Sequence, residues 1–444
     1  TPPPPPPTTL SIDRRQRQMC IRDSNTAYQM VLNKDINEVL NEQSLFCEEL
    51  QLSKMGNVIK DKVLPTFYGL PKMHKTVPKL RFIAASCKSP VKPLDLTVTA
   101  CLKTIYKFMC SYCKTIYNLT GTNRMWIIDN SLQLKAKIED CNQAMSAQMI
   151  STWDFSTLYT TIPHQLLKDN MSELIDFAYK TNKKPFIAVN NQRAFWSQKE
   201  VRRYKGVSAE DLKSYISYLV DHIYVTLGNT LHRQVVGIPM GISCAPLLAN
   251  LFLMNYEYKF MAKLEKENIH IARLFNYTSR YIDDLFSGNN HLFEKYVPKI
   301  YPSELEIKKE NASSTSGSYL DFLIDIRQDQ FHTSLFDKRD AFNFDIVNYP
   351  FVKLSNIPEG PAYGVYASRL VSIARACDSF DDFKLRHSTL CDKLFSQGFR
   401  YSKLCKCLDK ITHRHKDLFG KYGTRIEVPL PVSASNVRHV TVRS

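Results

Sequence analysis

Three aspartates lie at positions where aspartate is unfavourable. Asp154 ends the apolar segment 148–154, which predicts a short buried strand, and Asp283 and Asp284 interrupt the apolar, strand-like segment 277–286. Aspartate is depleted in strands, and a buried carboxylate without a partner is costly. Mg²⁺ neutralises such groups, because it prefers oxygen ligands and commonly takes one or two carboxylates together with substrate phosphates. The three aspartates therefore predict a magnesium site.

The spacing of these carboxylates also indicates a reaction. Two Mg²⁺ ions roughly 4 Å apart can activate an attacking 3′-hydroxyl and stabilise a leaving pyrophosphate. Three carboxylates from two strands suit that arrangement, and without metal their repulsion raises the pKa of at least one of them. Adjacent aspartates alone are a weak signal, since Asp381 and Asp382 form another pair at a predicted helix start, where acids favour the helix dipole.

Further strands are predicted around the acidic positions. Segments 319–326 and 331–336 carry strand-like apolar residues, and 223–236 has the pattern of a hairpin that turns at Gly228 and Asn229. These strands, together with the two acidic segments, predict a sheet that brings the aspartates to one place.

Helices are predicted between and after the strands. Ser208 is a suitable N-cap for one helix, and segment 244–264 is apolar enough for a buried helix. After Pro361 three amphipathic segments continue to about residue 415, with Ser379 and Asp382 as a capping box for the middle one. Strands flanked by helices and followed by a helical end predict an α+β core and a separate α domain.

Composition points to a polyanionic partner. The chain of 444 residues has a formal net charge of +16 and a pI of about 9.2, which favours binding to phosphate backbones over a basic surface used only for solubility. Twelve cysteines are scattered through apolar segments and do not resemble a disulfide framework. No apolar run is long enough to span a membrane. We therefore expect an intracellular protein, nuclear or cytoplasmic, that is neither secreted nor bound to a membrane.

Both ends of the chain differ from the rest. Residues 1–24 contain a proline run and the hexapeptide Met19–Ser24 (Met-Cys-Ile-Arg-Asp-Ser), whose back-translation resembles a transposon-end adapter. We expect 1–24 to be a non-native, disordered leader, as opposed to a basic arm that binds nucleic acid. Residues 25–66 are an N-terminal extension, and 417–444 are expected to be a disordered or truncated tail.

Five sequence blocks occur in a characteristic order. They are Phe67-Tyr-Gly-Leu-Pro-Lys-Met-His-Lys75, Asp154-Phe-Ser-Thr-Leu-Tyr-Thr-Thr-Ile-Pro163, Gly237-Ile-Pro-Met-Gly241, Tyr281-Ile-Asp-Asp284 and Tyr319-Leu-Asp-Phe-Leu323. Together they resemble the ordered motifs of reverse transcriptases, specifically those of Penelope-like retroelements, which are relatives of telomerase reverse transcriptase. The resemblance covers about residues 65–416.

That resemblance implies a right-hand polymerase fold, with fingers, palm and thumb. An antiparallel palm sheet would pack on helices and be followed by an all-helical thumb, whose basic helices from 384 to 415 would bind duplex phosphates. The implied boundaries are fingers at 67–147 and 165–235, palm at 148–164 and 236–335, and thumb at 336–416.

The resemblance also assigns the metal ligands. Asp154 and Asp283 would hold two Mg²⁺ ions, for which Mn²⁺ can substitute, with Asp284 assisting. The backbone carbonyl of Phe155 would complete the shell of one ion. Lys308 or Lys309 would donate a proton to pyrophosphate, and the alternative for both is a solvated basic pair.

Substrate contacts follow by position as well. Tyr159 would clash with the 2′-hydroxyl of a ribonucleotide and so select dNTPs; its alternative role is core packing. Arg81, with Lys72, would bind the incoming triphosphate, since arginine suits a bidentate phosphate contact. Gly241 would let the backbone approach the nascent base pair, and Gln234 would contact the template.

The function implied is that of an RNA-directed DNA polymerase of a mobile element, acting with an RNA template, a DNA primer and dNTPs and serving DNA integration. No GIY-YIG endonuclease motif or RNase H block is evident in the sequence. One alternative is a catalytically silent or domesticated nucleic-acid-binding relic, against which the intact Asp154, Asp283 and Asp284 argue. The other is an RNA-dependent RNA polymerase, which Tyr159 and the Tyr-Ile-Asp-Asp form disfavour.

Overall fold

The structure is a computed structural model that describes residues 27–52, 61–72, 79–238, 241–341, 349–352 and 355–430. The predicted leader at 1–24 lies outside these ranges. In the described part of the chain, none of the helices is both long and apolar enough to cross a membrane.

Strands and helices alternate along the first three quarters of the chain. The strands are β1 (Tyr28–Met30), β2 (Thr66–Lys72), β3 (Lys79–Ala85), β4 (Ile150–Phe155), β5 (Phe186–Val189), β6 (Ala194–Ser197), β7 (Lys205–Val207), β8 (Tyr224–Leu227), β9 (Thr230–Gln234), β10 (Thr278–Tyr281), β11 (Asp284–Gly288), β12 (Ile307–Lys309), β13 (Ser316–Tyr319), β14 (Phe322–Arg327) and β15 (Gln330–Leu335). The helices are α1 (Ile36–Glu49), α2 (Lys92–Thr120), α3 (Ser131–Ala144), α4 (Leu158–Thr161), α5 (His164–Asn182), α6 (Ala209–Asp221), α7 (Ala245–Glu267), α8 (Ile269–Arg273), α9 (Phe293–Ile300), α10 (Glu359–Ala376), α11 (Phe380–Ser396), α12 (Tyr401–Arg414) and α13 (Lys416–Gly420), with a 3₁₀ turn at Lys338–Ala341.

The chain divides into two compact units. The first comprises Thr1–Ile127, Phe155–Asn276 and Leu292–Lys308, and the second comprises Ile128–Asp154, Tyr277–His291 and Lys309–Ser444. Each unit therefore combines segments that are distant in the sequence.

The first unit has two sheets. One has the strand order β1-β9-β8-β2-β3, in which only the β2–β8 pair is parallel, and the other has the order β6-β5-β7. The predicted hairpin is confirmed: β8 and β9 turn at Gly228, whose φ of +58° suits glycine. Ser208 caps α6 as predicted, because its hydroxyl accepts from the Asp211 amide while Asp211 accepts from the Ser208 amide.

The second unit contains the acidic strands. The four-stranded sheet has the order β10-β11-β4-β12, and its strands β10 and β11 and residues 150–154 of β4 belong to the second unit. A meander of β13, β14 and β15 follows. Ile150, Phe286 and Ile324 form part of its core, together with Leu134 and Ile138 of α3. Segment 128–147, which we predicted as part of the fingers, therefore packs in one core with the acidic strands, because its apolar residues at helical spacing face that sheet.

The helical end of the chain has its own core. Tyr366 of α10 and His387 of α11 are buried and joined by a 2.9 Å hydrogen bond. This core extends beyond the predicted thumb boundary at 416, since Phe419, Tyr422 and Val428 pack in it. Residues 417–430 therefore contribute to the fold and do not belong to a disordered tail.

Candidate active site

The hairpin of β10 and β11 presents two of the three aspartates. Tyr281 pairs with Asp284, so the connecting loop consists of only Ile282 and Asp283. Ile282 has a φ of +55°, which is an uncommon and strained conformation for a β-branched residue. The fully buried Arg280 stabilises this loop, because its Nη1 donates to the Ile282 carbonyl oxygen at 2.9 Å. The strained turn thereby holds Asp283 at the tip of the hairpin.

Strand β4 brings the third aspartate to the same edge. It pairs antiparallel with β11 in a register that sets Asp154 directly opposite Asp284, with Trp153 opposite Leu285. Residues in such a pair have Cβ atoms about 4.5–5.5 Å apart, and like charges there repel. The two half-buried carboxylates of Asp154 and Asp284 thus share one face of the sheet.

The electrostatics of the cluster suit a cation. The pKa of Asp284 is raised from 3.8 to about 7, first by burial and then by the charge of Asp283, with further contributions from Asp154 and Glu310; Lys338 opposes the shift. Among the residues that the structure describes, no group of three or more His, Cys, Asp or Glu side chains is placed to hold a metal ion. An open carboxylate pair of this kind fits Mg²⁺, which completes its shell with water and substrate oxygens.

A cavity of about 850 Å³ opens beside Asp284 in the second unit. Its charged lining residues are four basic ones, Lys338, Arg339, Arg369 and Arg375, and four acidic ones, Asp129, Asp284, Asp321 and Asp337. Arg339 is engaged by Asp337, to which its Nε donates at 2.7 Å, whereas the other three basic residues are exposed and form no ion pair with any described residue. The cavity therefore carries balanced charge, with three exposed cations beside the carboxylates.

The sequence analysis did not single out the basic residues of this cavity. Arg369 and Arg375 lie on α10 with Ser372 between them, at spacings of three residues that place all three along one face of the helix. That spacing could have been recognised in the sequence as a polar face of α10. Lys338 comes from the 3₁₀ turn after β15, and no sequence pattern connects that turn with α10.

Tyr159 lies in the first unit, on the short helix α4. Its side chain is half-buried, and its carbonyl oxygen accepts from the Ile238 amide at 2.7 Å. Gly237, with a φ of +89°, passes so close that a Cβ there would overlap the Tyr159 carbonyl oxygen. Gly237 is thus another residue to which sequence reasoning assigned no role, and its contact fixes the backbone position of Tyr159.

Gly241 makes a similarly close backbone approach. Its φ is +139°, and a Cβ would overlap the carbonyl oxygen of Ala84, while Ser86 Oγ donates to the Gly241 carbonyl at 2.5 Å. The need for glycine is therefore explained by contact with the end of β3. Its approach to a base pair stays a prediction, and its neighbours Pro239 and Met240 lie outside the described residues.

Gln234 does not fit the template contact that we predicted. Its side chain is only 1% exposed, its Oε1 accepts from the Tyr28 hydroxyl at 3.1 Å, and its Nε2 donates to the Val236 carbonyl at 2.9 Å. Both ends of the amide are satisfied inside the protein, so Gln234 joins β1 to the end of β9 instead of facing a ligand.

The predicted triphosphate contacts can be placed only by their backbones. Lys72 ends β2 and pairs with Lys79, and Arg81 on β3 pairs with Leu70. The side chains of Lys72 and Arg81 lie outside the described part of the chain. Their role therefore stays a prediction.

The two predicted proton donors have different surroundings. Lys308 forms an exposed ion pair with Glu306 at 2.7 Å, whereas Lys309 Nζ lies 6.0 Å from the ring centroid of Trp153, the neighbour of Asp154 on β4. Lys309 is thus on the strand next to the acidic edge. The side chain of Phe155 is buried and packs edge-on against Tyr301 with 4.8 Å between ring centroids.

Comparison with known proteins identifies the fold. No family model and no curated protein sequence matches the chain. Among solved structures, a telomerase from Candida albicans in complex with a fragment of telomeric RNA is similar, with a TM-score of 0.56 and 8% identity over 92% of this chain and 63% of that chain. An apo telomerase from Candida tropicalis (TM-score 0.41, 12% identity, 94% and 74% covered) and the RNA-dependent RNA polymerase 3Dpol of Sicinivirus (0.35, 10%, 93% and 73%) also align.

The first of these similarities confirms the predicted fold class. The chain is a mixed α+β protein with antiparallel sheets and has the right-hand polymerase fold. It spans about 63% of the length of the Candida albicans chain.

Proposed function

We propose that this chain is an RNA-directed DNA polymerase of a mobile element, of the Penelope-like kind. The observation that carries the proposal is the register of β11 on β4, which sets Asp284 opposite Asp154 while the strained turn holds Asp283 beside them. This carboxylate cluster lies on a right-hand polymerase fold and within the ordered motifs of a reverse transcriptase. We further propose that the chain acts inside the cell, in the nucleus or cytoplasm, and that its product serves DNA integration.

The aspartates would bind the metal and the chain around them would orient the substrates. Two Mg²⁺ ions, or Mn²⁺, held by Asp154, Asp283 and Asp284 with the carbonyl of Phe155, would supply charge neutralisation for the attacking 3′-hydroxyl and the leaving pyrophosphate. Arg280 positions the Asp283 turn from beneath. Lys309, on the neighbouring strand, is the better placed of the two lysines for proton donation.

Nucleotide selection would depend on Tyr159. The ring is half-buried, and the close approach of Gly237 fixes the backbone position of Tyr159. A rigid aromatic ring rejects the 2′-hydroxyl of a ribonucleotide by steric overlap, whereas a deoxyribonucleotide fits. Lys72 and Arg81 would bind the triphosphate of the selected dNTP.

The cavity beside Asp284 would hold the primer. Lys338, Arg369 and Arg375 line an opening of a size that accommodates a sugar–phosphate backbone. These three cations would bind successive phosphates and bring the 3′-hydroxyl to the carboxylates. An RNA template would pair with that primer strand.

Primer extension tests the proposal. The full chain is given a poly(rA)/oligo(dT) hybrid with Mg²⁺ and either dTTP or UTP, and is compared with Asp283→Asn and with the control Asp381→Asn. The control removes one charge from the other Asp-Asp pair, which lies at the start of α11. Incorporation of dTTP that is lost in Asp283→Asn and kept in Asp381→Asn supports a reverse transcriptase. Preference for UTP would indicate an RNA polymerase, and hybrid binding without extension would indicate the silent relic.

A further inference from the structure

The small sheet β6-β5-β7 of the first unit has two different faces. Ile187 lies opposite both Trp196 and Val207, and Trp196 packs edge-on against Phe108 of α2 and Tyr179 of α5. Because side chains alternate along a strand, the neighbouring residues of each strand belong to the opposite face. One face of the sheet is thus packed on helices, and the other faces away from them.

That second face carries an aromatic surface. Phe195 lies opposite Ala188, which in turn lies opposite Gly206, so small residues occupy the central and third strands there. Phe195 is 39% exposed and meets the ring of Tyr204 edge-on, with centroids 5.2 Å apart. Phe186 borders Gly206 on the same face, since a Cβ at Gly206 would lie 3.6 Å from its ring. We call these three aromatic residues the platform.

The segment that carries the platform is rich in positive charge. Segment 183–207 contains seven basic residues and a single acid, Glu200. The basic residues are Lys183, Lys184, Arg193, Lys199, Arg202, Arg203 and Lys205. In the described ranges none of the seven forms an ion pair, whereas nine other lysines or arginines of the first unit do. The charge is therefore available to an external anion.

The loops that carry these charges are ordered. Asn190 closes the β5–β6 turn, because its Oδ1 accepts from the amides of Gln192 and Arg193 at 2.9 and 2.8 Å. In the β6–β7 connection Arg203 has a φ of +68°, and the Tyr204 amide donates to the Val201 carbonyl at 3.0 Å. The positive φ of Arg203 is unfavourable for arginine, and it occurs in the loop that places Tyr204 against Phe195.

We propose that this face is a binding surface for single-stranded nucleic acid, separate from the carboxylate cluster. Unpaired bases stack on exposed aromatic rings, and surrounding lysines and arginines follow the phosphates, which is the combination that single strands require and a duplex does not. The platform takes bases on Phe195 and Tyr204, and Arg193, Arg202 and Arg203 take the backbone. This inference does not depend on polymerase activity.

The test measures binding of fluorescein-labelled 12-nucleotide RNA and DNA strands to the full chain by fluorescence anisotropy across a salt series. Phe195→Ala is expected to weaken binding at least about fivefold, as loss of one stacking contact does, and Phe195→Tyr is expected to restore it. Removing one phosphate contact by Arg202→Ala or Arg203→Ala is expected to lower the slope of log Kd against log salt by about 0.7.

A matched control separates this surface from general charge. Lys266→Ala removes one exposed cation from α7, an element outside the sheet, and Lys266 has no ion-pair partner among the described residues. The proposal would be overturned if Phe195→Ala bound the strands as tightly as the wild type does, or if the arginine variants bound them no more weakly than this control. Failure of the wild type to extend a primer leaves this result intact, so the two proposals are tested separately.

Discussion

Replacing Asp284 by Asn should stabilise the chain in metal-free buffer. Asp284 is half-buried, lies opposite Asp154 and follows Asp283 directly, so its ionised form is repelled by two neighbours and poorly hydrated. The amide of Asn keeps the shape of the side chain and removes the charge. A site that binds cations well is therefore expected to oppose folding when no cation is present.

The pKa shift of Asp284 determines the size and the sign of the expected change in the free energy of unfolding. A folded-state pKa raised from 3.8 to about 7 corresponds to at most about 4 kcal/mol, since each pKa unit represents about 1.4 kcal/mol. Water entering this half-exposed cluster reduces the effect, and we expect about 1–3 kcal/mol. Because the folded pKa lies above the unfolded one, the stabilising effect of the neutral carboxyl is fully present below pH 4 and is lost as pH rises through 7. Asp284→Asn does not undergo that loss.

Urea unfolding at pH 4.5 and pH 8, with EDTA, measures the difference. The variant should exceed the wild type in free energy of unfolding at pH 8, and the gap should narrow at pH 4.5. Adding Mg²⁺ at pH 8 should also narrow it, because binding stabilises only the wild-type cluster. Asp381→Asn serves as the control and should be slightly destabilised at a helix start. A variant no more stable than the wild type at pH 8, or a gap independent of pH, would refute the electrostatic account.

Three further predictions concern single residues. Gly241→Ala should lower the free energy of unfolding by more than about 2 kcal/mol in urea melts, because its Cβ meets the Ala84 carbonyl, whereas Gly364→Ala, which has open space within α10, should raise it by about 0.5–1 kcal/mol. Tyr159→Ala should raise UTP incorporation relative to dTTP by at least about tenfold in primer extension; unchanged selectivity would assign Tyr159 to packing. Arg369→Ala should raise the KM for the primer–template hybrid and lower the slope of log KM against log salt by about 1, with kcat unchanged.

Local chemistry made much of the fold predictable. The helix caps Ser208 and Ser379, the turn at Gly228 and the strand that ends near Asp154 were all readable from neighbouring residues, and each is present. Capping and turn geometry depend on side chains within four positions, so one sequence contains the information. The same locality explains why the sequence did not reveal that α3 packs in one core with the acidic strands, since that depends on tertiary contacts.

Contacts between distant segments were not predictable. Gln234 was assigned to the template because its motif position was the only information available, whereas its burial depends on Tyr28, which lies 206 residues away. The register that sets Asp284 opposite Asp154 likewise depends on strand pairing. Lys338 and Arg369 meet around the cavity only because a turn and a helix pack together.

The acidic edge concentrates features that oppose folding. Asp154 and Asp284 repel each other, and Ile282 keeps a positive φ that a different residue would adopt more easily. Such costs persist in a protein when the surroundings determine them, and here Arg280 holds the turn through the Ile282 carbonyl. A chain that only needed to bind nucleic acid could use its basic surfaces without this strained, repulsive edge. The edge is explained if cations and a reacting phosphate compensate for it, and that is the physical argument for catalysis over passive binding.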